Sequence, residues 1–202
     1  FSVTDKITGK AYDYKITSNG KGFIVKTKLS NGQDYAFTEK TYFDPEEMMK
    51  RERDVKRLSD FALIDSLIND ALPGEHIPTS TGSQAVPNSE QYKTLCVNFS
   101  VDLLPCFGSS QINGALMDGI GWVKVNFIGK TNIPLTALPV DPLNNKNNHY
   151  FYCADKDGWE INTILESEKY KPEMKNDGGD GDNKYERGSN LKLIDKIDNC
   201  KY

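Results

Sequence analysis

The chain has 202 residues, a formal net charge of -4 and a mean hydropathy of -0.60, enough to bury a core as one large domain or one and a half small ones. Lys and Arg are mixed among Asp and Glu rather than clustered, which argues against nucleic acid as the main partner, since tracking phosphates needs concentrated positive charge. No apolar run approaches the roughly 20 residues of a membrane span, and Phe1–Lys10 is too polar for a signal peptide.

In chain order, residues 10–29 read as a β-hairpin. Tyr12, Tyr14 and Ile16 alternate with polar residues, Asn19-Gly20 is a turn signal, and Phe23, Val25, Thr27 and Leu29 alternate again. A second turn falls at Ser30–Gln33. Residues 44–72 then demand a long helix. Asp44 suits the N-cap, Pro45 the first turn, and Glu46 and Glu47 the positive end of the dipole. Met48, Val55, Leu58, Phe61, Ile64, Ile68 and Leu72 return to one side, and Pro73-Gly74 stops the helix. The apolar second half is expected to lie on a sheet. The charged run Lys50–Arg57 is expected to be a solvated, ion-paired face.

Pro73–Glu90 has the composition of a loop. Residues 92–99 suit a short strand or buried segment, the chain turns at Pro105, and Trp122, Val123, Val125 and Phe127 suggest another strand. Ile133–Asn145 is punctuated by prolines and cannot be a central strand. Two hairpin strands around Tyr150–Tyr152 and Trp159 follow, then a polar Asp/Gly loop, then a last strand, LKLIDKI, leading to Cys200.

The first hairpin is echoed in the second. Tyr12-x-Tyr14 matches Tyr150-x-Tyr152, Asn19-Gly20 matches Asp157-Gly158, and Phe23–Ser30 aligns without gaps on Trp159–Glu166. Duplication would make residues 1–40 a hairpin region that ends a preceding module and 41–202 a helix-plus-sheet domain.

Cys96, Cys106, Cys153 and Cys200 lack zinc-type spacing and are expected to form disulfides outside the cytosol. Four cysteines allow three pairings, which sequence leaves open. Cys96 with Cys106 and Cys153 with Cys200 is the pairing we expect.

The order of RDVKRLSDFALIDSLINDAL, LTALPVDPLNN, YFYCADKDGWEINTILES and NDGGDGDNKYERGSNLKLI resembles the globular domain of type IV pilin-like proteins, including the pseudopilins of type II secretion, over about residues 50–200. That resemblance implies an α+β fold with one long helix packed on an antiparallel sheet. It implies an extracellular or cell-surface structural role, with other pilin-like subunits or modules as partners. The chain departs from the family at Phe1, which is followed by Ser2, Val3, Thr4 and Asp5 instead of an apolar assembly helix. The expectation is therefore a fragment of a longer protein, or a pilin-like fold used for something other than polymerisation.

Asp177, Asp180 and Asp182, with Asn176 and Asn183, sit on a loop loosened by Gly178, Gly179 and Gly181. Calcium takes six to eight oxygens, and carboxylates at this spacing could converge on one ion. The related pseudopilins bind calcium in a comparable loop, although the spacing is not that of an EF-hand. His76 and His149 lie in polar contexts, and Ser109-Ser110 lacks a nucleophile elbow, so no enzyme is expected. A tandem adhesin that binds a surface glycan or protein through exposed aromatics is the alternative, although Tyr150, Tyr152 and Trp159 suit packing in the sheet better.

Overall fold

The computed structural model describes residues 13–16, 23–28, 34–38, 45–73, 89–97, 105–130, 134–194 and 200. The chain divides into two compact units, Phe1–Pro45 and Glu46–Tyr202.

The N-terminal unit is a three-stranded antiparallel meander in the order β1 (Asp13–Ile16), β2 (Phe23–Lys28), β3 (Asp34–Thr38). Tyr14 pairs with Val25 and Ile16 with Phe23 in the first ladder, and Val25 with Phe37 and Thr27 with Tyr35 in the second. The two expected strands are present. The third, DYAFT, has no counterpart in the sequence reading. Both expected turns lie outside the described residues.

In the C-terminal unit, α1 (Pro45–Ala71) has 27 residues, about 40 Å of helix. Its proposed cap, Asp44, and the stop residue Gly74 lie outside the described residues. A four-stranded antiparallel sheet follows in the order β4 (Cys106–Ser109), β5 (Phe151–Asp155), β6 (Gly158–Thr163), β7 (Tyr185–Gly188). Short helices α2 (Ser89–Leu95), α3 (Ser110–Asn113) and α4 (Glu173–Asn176) fill the connections. The coarse expectation, one long helix with an antiparallel sheet, is met.

The pleat of β5 sends side chains to two cores. Tyr150, Tyr152 and Ala154 join Phe61, Ile64, Leu67 and Ile68 of α1, together with Trp122, Trp159 and Ile161. Phe151 and Cys153 join Leu193, Ile194 and Cys200 on the other side. Disulfides join Cys96 to Cys106 and Cys153 to Cys200. The chain-entropy model values the loop of 47 residues closed by the second at about 4 kcal/mol as an upper figure.

Four expectations are corrected. Of the two alternatives for residues 92–99, the strand gives way to the buried segment: residues 92–95 belong to a helix, α2, with Tyr92, Leu95 and Cys96 buried, and the part beyond Val97 lies outside the described residues. The segment GWVKVNF is no strand, having only an isolated bridge from Asp118 to Asn126. Its run of buried Trp122, Val123, Lys124 and Val125 belongs to a loop enclosed on both sides, where period-two alternation has no meaning. The described part of LKLIDKI, Leu191–Ile194, forms turns because the N–H groups of Leu193 and Ile194 donate to the Glu160 carboxylate rather than to a neighbouring strand.

The fourth correction concerns the charged half of α1. Asp54 and Arg57 are fully buried while Met48 and Val55 are exposed. Positions 54, 57, 61, 64 and 68 form one stripe with helical spacing, ionic in its first turns and apolar in the rest. Only the outer pairs, such as Lys50–Glu46 and Arg51–Glu47, form the expected solvated face.

Candidate functional site

Three features of the C-terminal unit could carry function. The first seats the helix. Arg57 donates from Nε to Asp141 at 2.7 Å, from Nη2 to the same carboxylate at 3.1 Å, and from Nη1 to Asp54 and Glu166. Asp54 in turn accepts from the Glu166 and Ser167 N–H groups and from Ser167 Oγ. Arg53 forms a two-bond fork with Glu166 at 2.7 and 2.8 Å. Asp141 also accepts from the N–H groups of Leu143 and Asn144, which ties the LPVDP stretch to the helix. Burial alone would raise the Glu166 pKa, yet Arg53 and Arg57 hold it below the usual range. Every charge in this network faces an opposite charge or a backbone donor. It is a clamp between three segments, with no group left over for chemistry.

The second is the Asp/Gly loop. Asp177 accepts from Gly179 N–H at 2.9 Å and from Glu186 N–H at 2.8 Å, and Glu186 accepts from Gly181 N–H at 2.9 Å. A Cβ on Gly179 would stand 1.9 Å from Glu186 Oε2, so only glycine fits there without a shift. Glu186 lies against Glu160, and both are almost fully buried. Burial pushes Glu160 well above the usual carboxylate range, with the Glu186 charge adding to the effect. Burial likewise pushes Glu186 up to about 7, with Asp177 and Asp180 nearby. The pair is built to hold a proton near neutral pH.

The expected ligands Asp177, Asp180 and Asp182 differ in surroundings. The Asp177 oxygens both face backbone N–H groups, Asp180 is exposed, and Asp182 is exposed with Lys175 at 4.0 Å. Among the described residues, no three His, Cys, Asp or Glu side chains converge as metal ligands. The Glu160–Glu186 pair is the part of this site that sequence reasoning missed. Glu160 was expected on a hairpin strand, but Glu186 fell within the stretch read as a polar Asp/Gly loop, which the structure makes strand β7, so nothing showed that their carboxyls share one buried face.

The third feature is an apolar surface on the loop 112–130. Its backbone is fixed by Trp122 N–H to Gly114 O at 3.0 Å, Phe127 N–H to Met117 O at 2.8 Å and Leu138 N–H to Ala115 O at 2.8 Å. Val97 N–H donates to Lys124 O at 2.8 Å and Trp122 Nε1 to Pro139 O at 2.9 Å. Lys124 is buried and caps the turn by donating Nζ to the carbonyls of Ile120 and Gly121. The inward side chains make the core, and Leu116, Ile120 and Ile128 are left 56%, 60% and 66% exposed. Between Leu116, Ile128 and Leu135 lies an open groove of about 360 Å³, also lined by Met117, Asp118 and Phe127. A well-bonded loop thus presents three large aliphatic side chains to solvent.

No protein-family model, curated protein or solved structure matches this chain. Tyr150, Tyr152 and Trp159 are fully buried, so they form no aromatic platform for a sugar. Ser110 Oγ donates to Asn144 Oδ1 at 2.7 Å and accepts from Tyr150 N–H at 2.9 Å, a structural use of the hydroxyl. His149 lies beside Asn145 O, and His76 is outside the described residues.

Proposed function

We propose that this chain is a structural module of an extracellular assembly with a pilin-like design, and that it works by docking to further copies or sibling modules rather than by catalysis. The observation that carries this reading is the backbone-fixed loop that exposes Leu116, Ile120 and Ile128, the first and last of them lining a groove. The buried ionic clamp under α1 and the two disulfides support it, since a load-bearing subunit gains from a helix that cannot slide on its sheet. The disulfides also fit an oxidising compartment. The test is cross-linking and electron microscopy of the native assembly. Cross-links from the Leu116–Ile128 loop to a neighbouring subunit are expected, and a protein recovered only as a free monomer would refute the proposal.

Calcium at the Asp/Gly loop is a further part of the proposal, motivated by the resemblance and by the exposed Asp180 and Asp182. Asp177 would have to give up backbone donors to join them, which predicts a weak site of about 0.1 to 1 mM. Ten times that concentration adds about 1.4 kcal/mol, or about 4 °C in Tm. An unchanged Tm with calcium against chelator would remove the ion from the account.

A further inference from the structure

The four-stranded sheet of the C-terminal unit has two edges, β4 and β7, and both are closed by the same chemistry. In an antiparallel ladder the backbone groups of a strand point alternately toward its neighbour and away from it. Ser110 N–H donates to Tyr150 O at 2.9 Å, which continues the β4–β5 ladder by one residue and fixes its phase. The backbone groups of Pro105, Phe107 and Ser109 therefore form the row that faces away from β5. At the opposite edge Ser189 N–H donates to Trp159 O at 3.0 Å, so those of Glu186 and Gly188 face away from β6. A row of outward N–H groups is a template for a further strand.

Side chains take that strand's place. Pro105 has no N–H to offer, and Ser109 N–H donates to Asn113 Oδ1 at 2.9 Å. On β7, Glu186 N–H donates to Asp177 Oδ2 at 2.8 Å. Each acceptor oxygen does for an outward N–H what the carbonyl of a fifth strand would do. Asn113 ends α3, which starts directly after β4, and Asp177 opens the Asp/Gly loop that precedes β7. That loop is stitched down by Gly179 N–H to Asp177 Oδ1 and by Gly181 N–H to Glu186 Oε2, both at 2.9 Å. It approaches β7 so closely that a Cβ on Gly179 would stand 1.9 Å from Glu186 Oε2. Its Asp180 and Asp182 are exposed, a like charge that a second copy of the same edge would meet.

We propose that Asn113 and the loop 177–184 are edge guards, which hold this sheet closed to strand addition by a second copy of the chain. The excluded strand is that of a second copy because every copy carries the same two edges, each of four residues, and so brings its own strand donor at its own concentration. An assembly that packs copies side by side raises the effective concentration of such edges. The guards let copies meet through side chains without their sheets fusing. Their use in an assembly rests on the docking reading above, whereas the guards themselves stand on ladder phase and hydrogen bonds.

The test uses the 202-residue chain carrying Leu116→Asp, Ile120→Asp and Ile128→Asp, so that association through the 112–130 loop is removed, with a chelator present so that calcium plays no part. In this background the Ser109 and Glu186 amides are expected to exchange slowly. Asp177→Ala should speed exchange at Glu186, and Asn113→Ala at Ser109, about tenfold or more, while the β5 amides stay protected. With both substitutions the chain should sediment faster than its background as concentration rises and show the infrared band of intermolecular β-pairing. Asp177→Asn keeps an oxygen acceptor and should behave as the background does. A folded double variant that sediments as its background does at every concentration overturns the proposal. Asp177→Asn that frees the Glu186 amide as fully as Asp177→Ala also overturns it, since charge and not capping would then hold the edge. Ser109 and Glu186 amides that already exchange in the background at the rate of an unfolded chain overturn it too, whether or not a guard variant folds. Loss of the docking role would leave all of these amide rates unchanged, so the two ideas fail separately.

Discussion

Arg57 illustrates how one buried cation orders three segments. Its guanidinium holds Asp141 by two bonds, Asp54 by one and Glu166 by one, all without exposure of its own side chain. Arg57→Ala leaves those carboxylates facing one another in the interior and should cost about 3–5 kcal/mol in denaturant unfolding. Arg57→Lys should recover little, because an ammonium cannot make the fork to Asp141. The Glu160–Glu186 pair gives the opposite kind of dependence. An acid whose folded pKa is raised binds protons better when folded, so its contribution is full below the ordinary value of 4.5 and is lost as pH rises to about 7. Thermal unfolding should therefore show a higher Tm at pH 5.5 than at pH 8. Glu186→Gln should shrink that difference and raise the Tm at pH 8. A Tm that falls steadily from pH 8 to 5.5 would contradict the assignment.

At the scale of elements, the packing of the 112–130 loop on the sheet turns on a close approach. A Cβ on Gly108 in β4 would lie 2.2 Å from the carbonyl oxygen of Trp122. Gly108→Ala should push this loop off β4, costing about 2 kcal/mol or more and weakening the near-ultraviolet dichroism of Trp122. An unperturbed spectrum with full stability would contradict that packing. The same loop shows where sequence patterns stop being informative. Trp122, Val123, Val125 and Phe127 look like a strand because strands and enclosed loops both use large apolar residues. What separates them here is the fold of the backbone around Gly119, at φ 86°, and Gly121, whose Cβ would meet Leu116 O at 2.1 Å. The long helix was legible because Phe61, Ile64, Ile68 and Leu72 repeat with its period. Its buried ionic half was not. Asp54 and Arg57 continue the same stripe, but mixed charges on a helix read as a solvated face until the partners at 141 and 166 are known. The β5–β6 hairpin was legible from its turn and alternation, whereas the turns at Leu191–Ile194 depend on Glu160, more than thirty residues away in sequence.

For the whole molecule, the α+β class and the four cysteines as disulfide partners were within reach of the sequence, because helix period and even cysteine number are local signals. The proposed docking surface was not, since a single exposed isoleucine is unremarkable and only the fold shows Leu116, Ile120 and Ile128 left exposed on one loop. The central claim is that this surface mediates assembly. Sedimentation velocity of the intact chain over a wide concentration range tests it most directly, set beside the triple variant Leu116→Asp, Ile120→Asp, Ile128→Asp. The account predicts that the intact chain sediments faster as concentration rises, while the variant keeps the dichroism spectrum of the intact chain and sediments as a monomer throughout. An intact chain that stays monomeric across that range, or a variant that associates equally well, would contradict it.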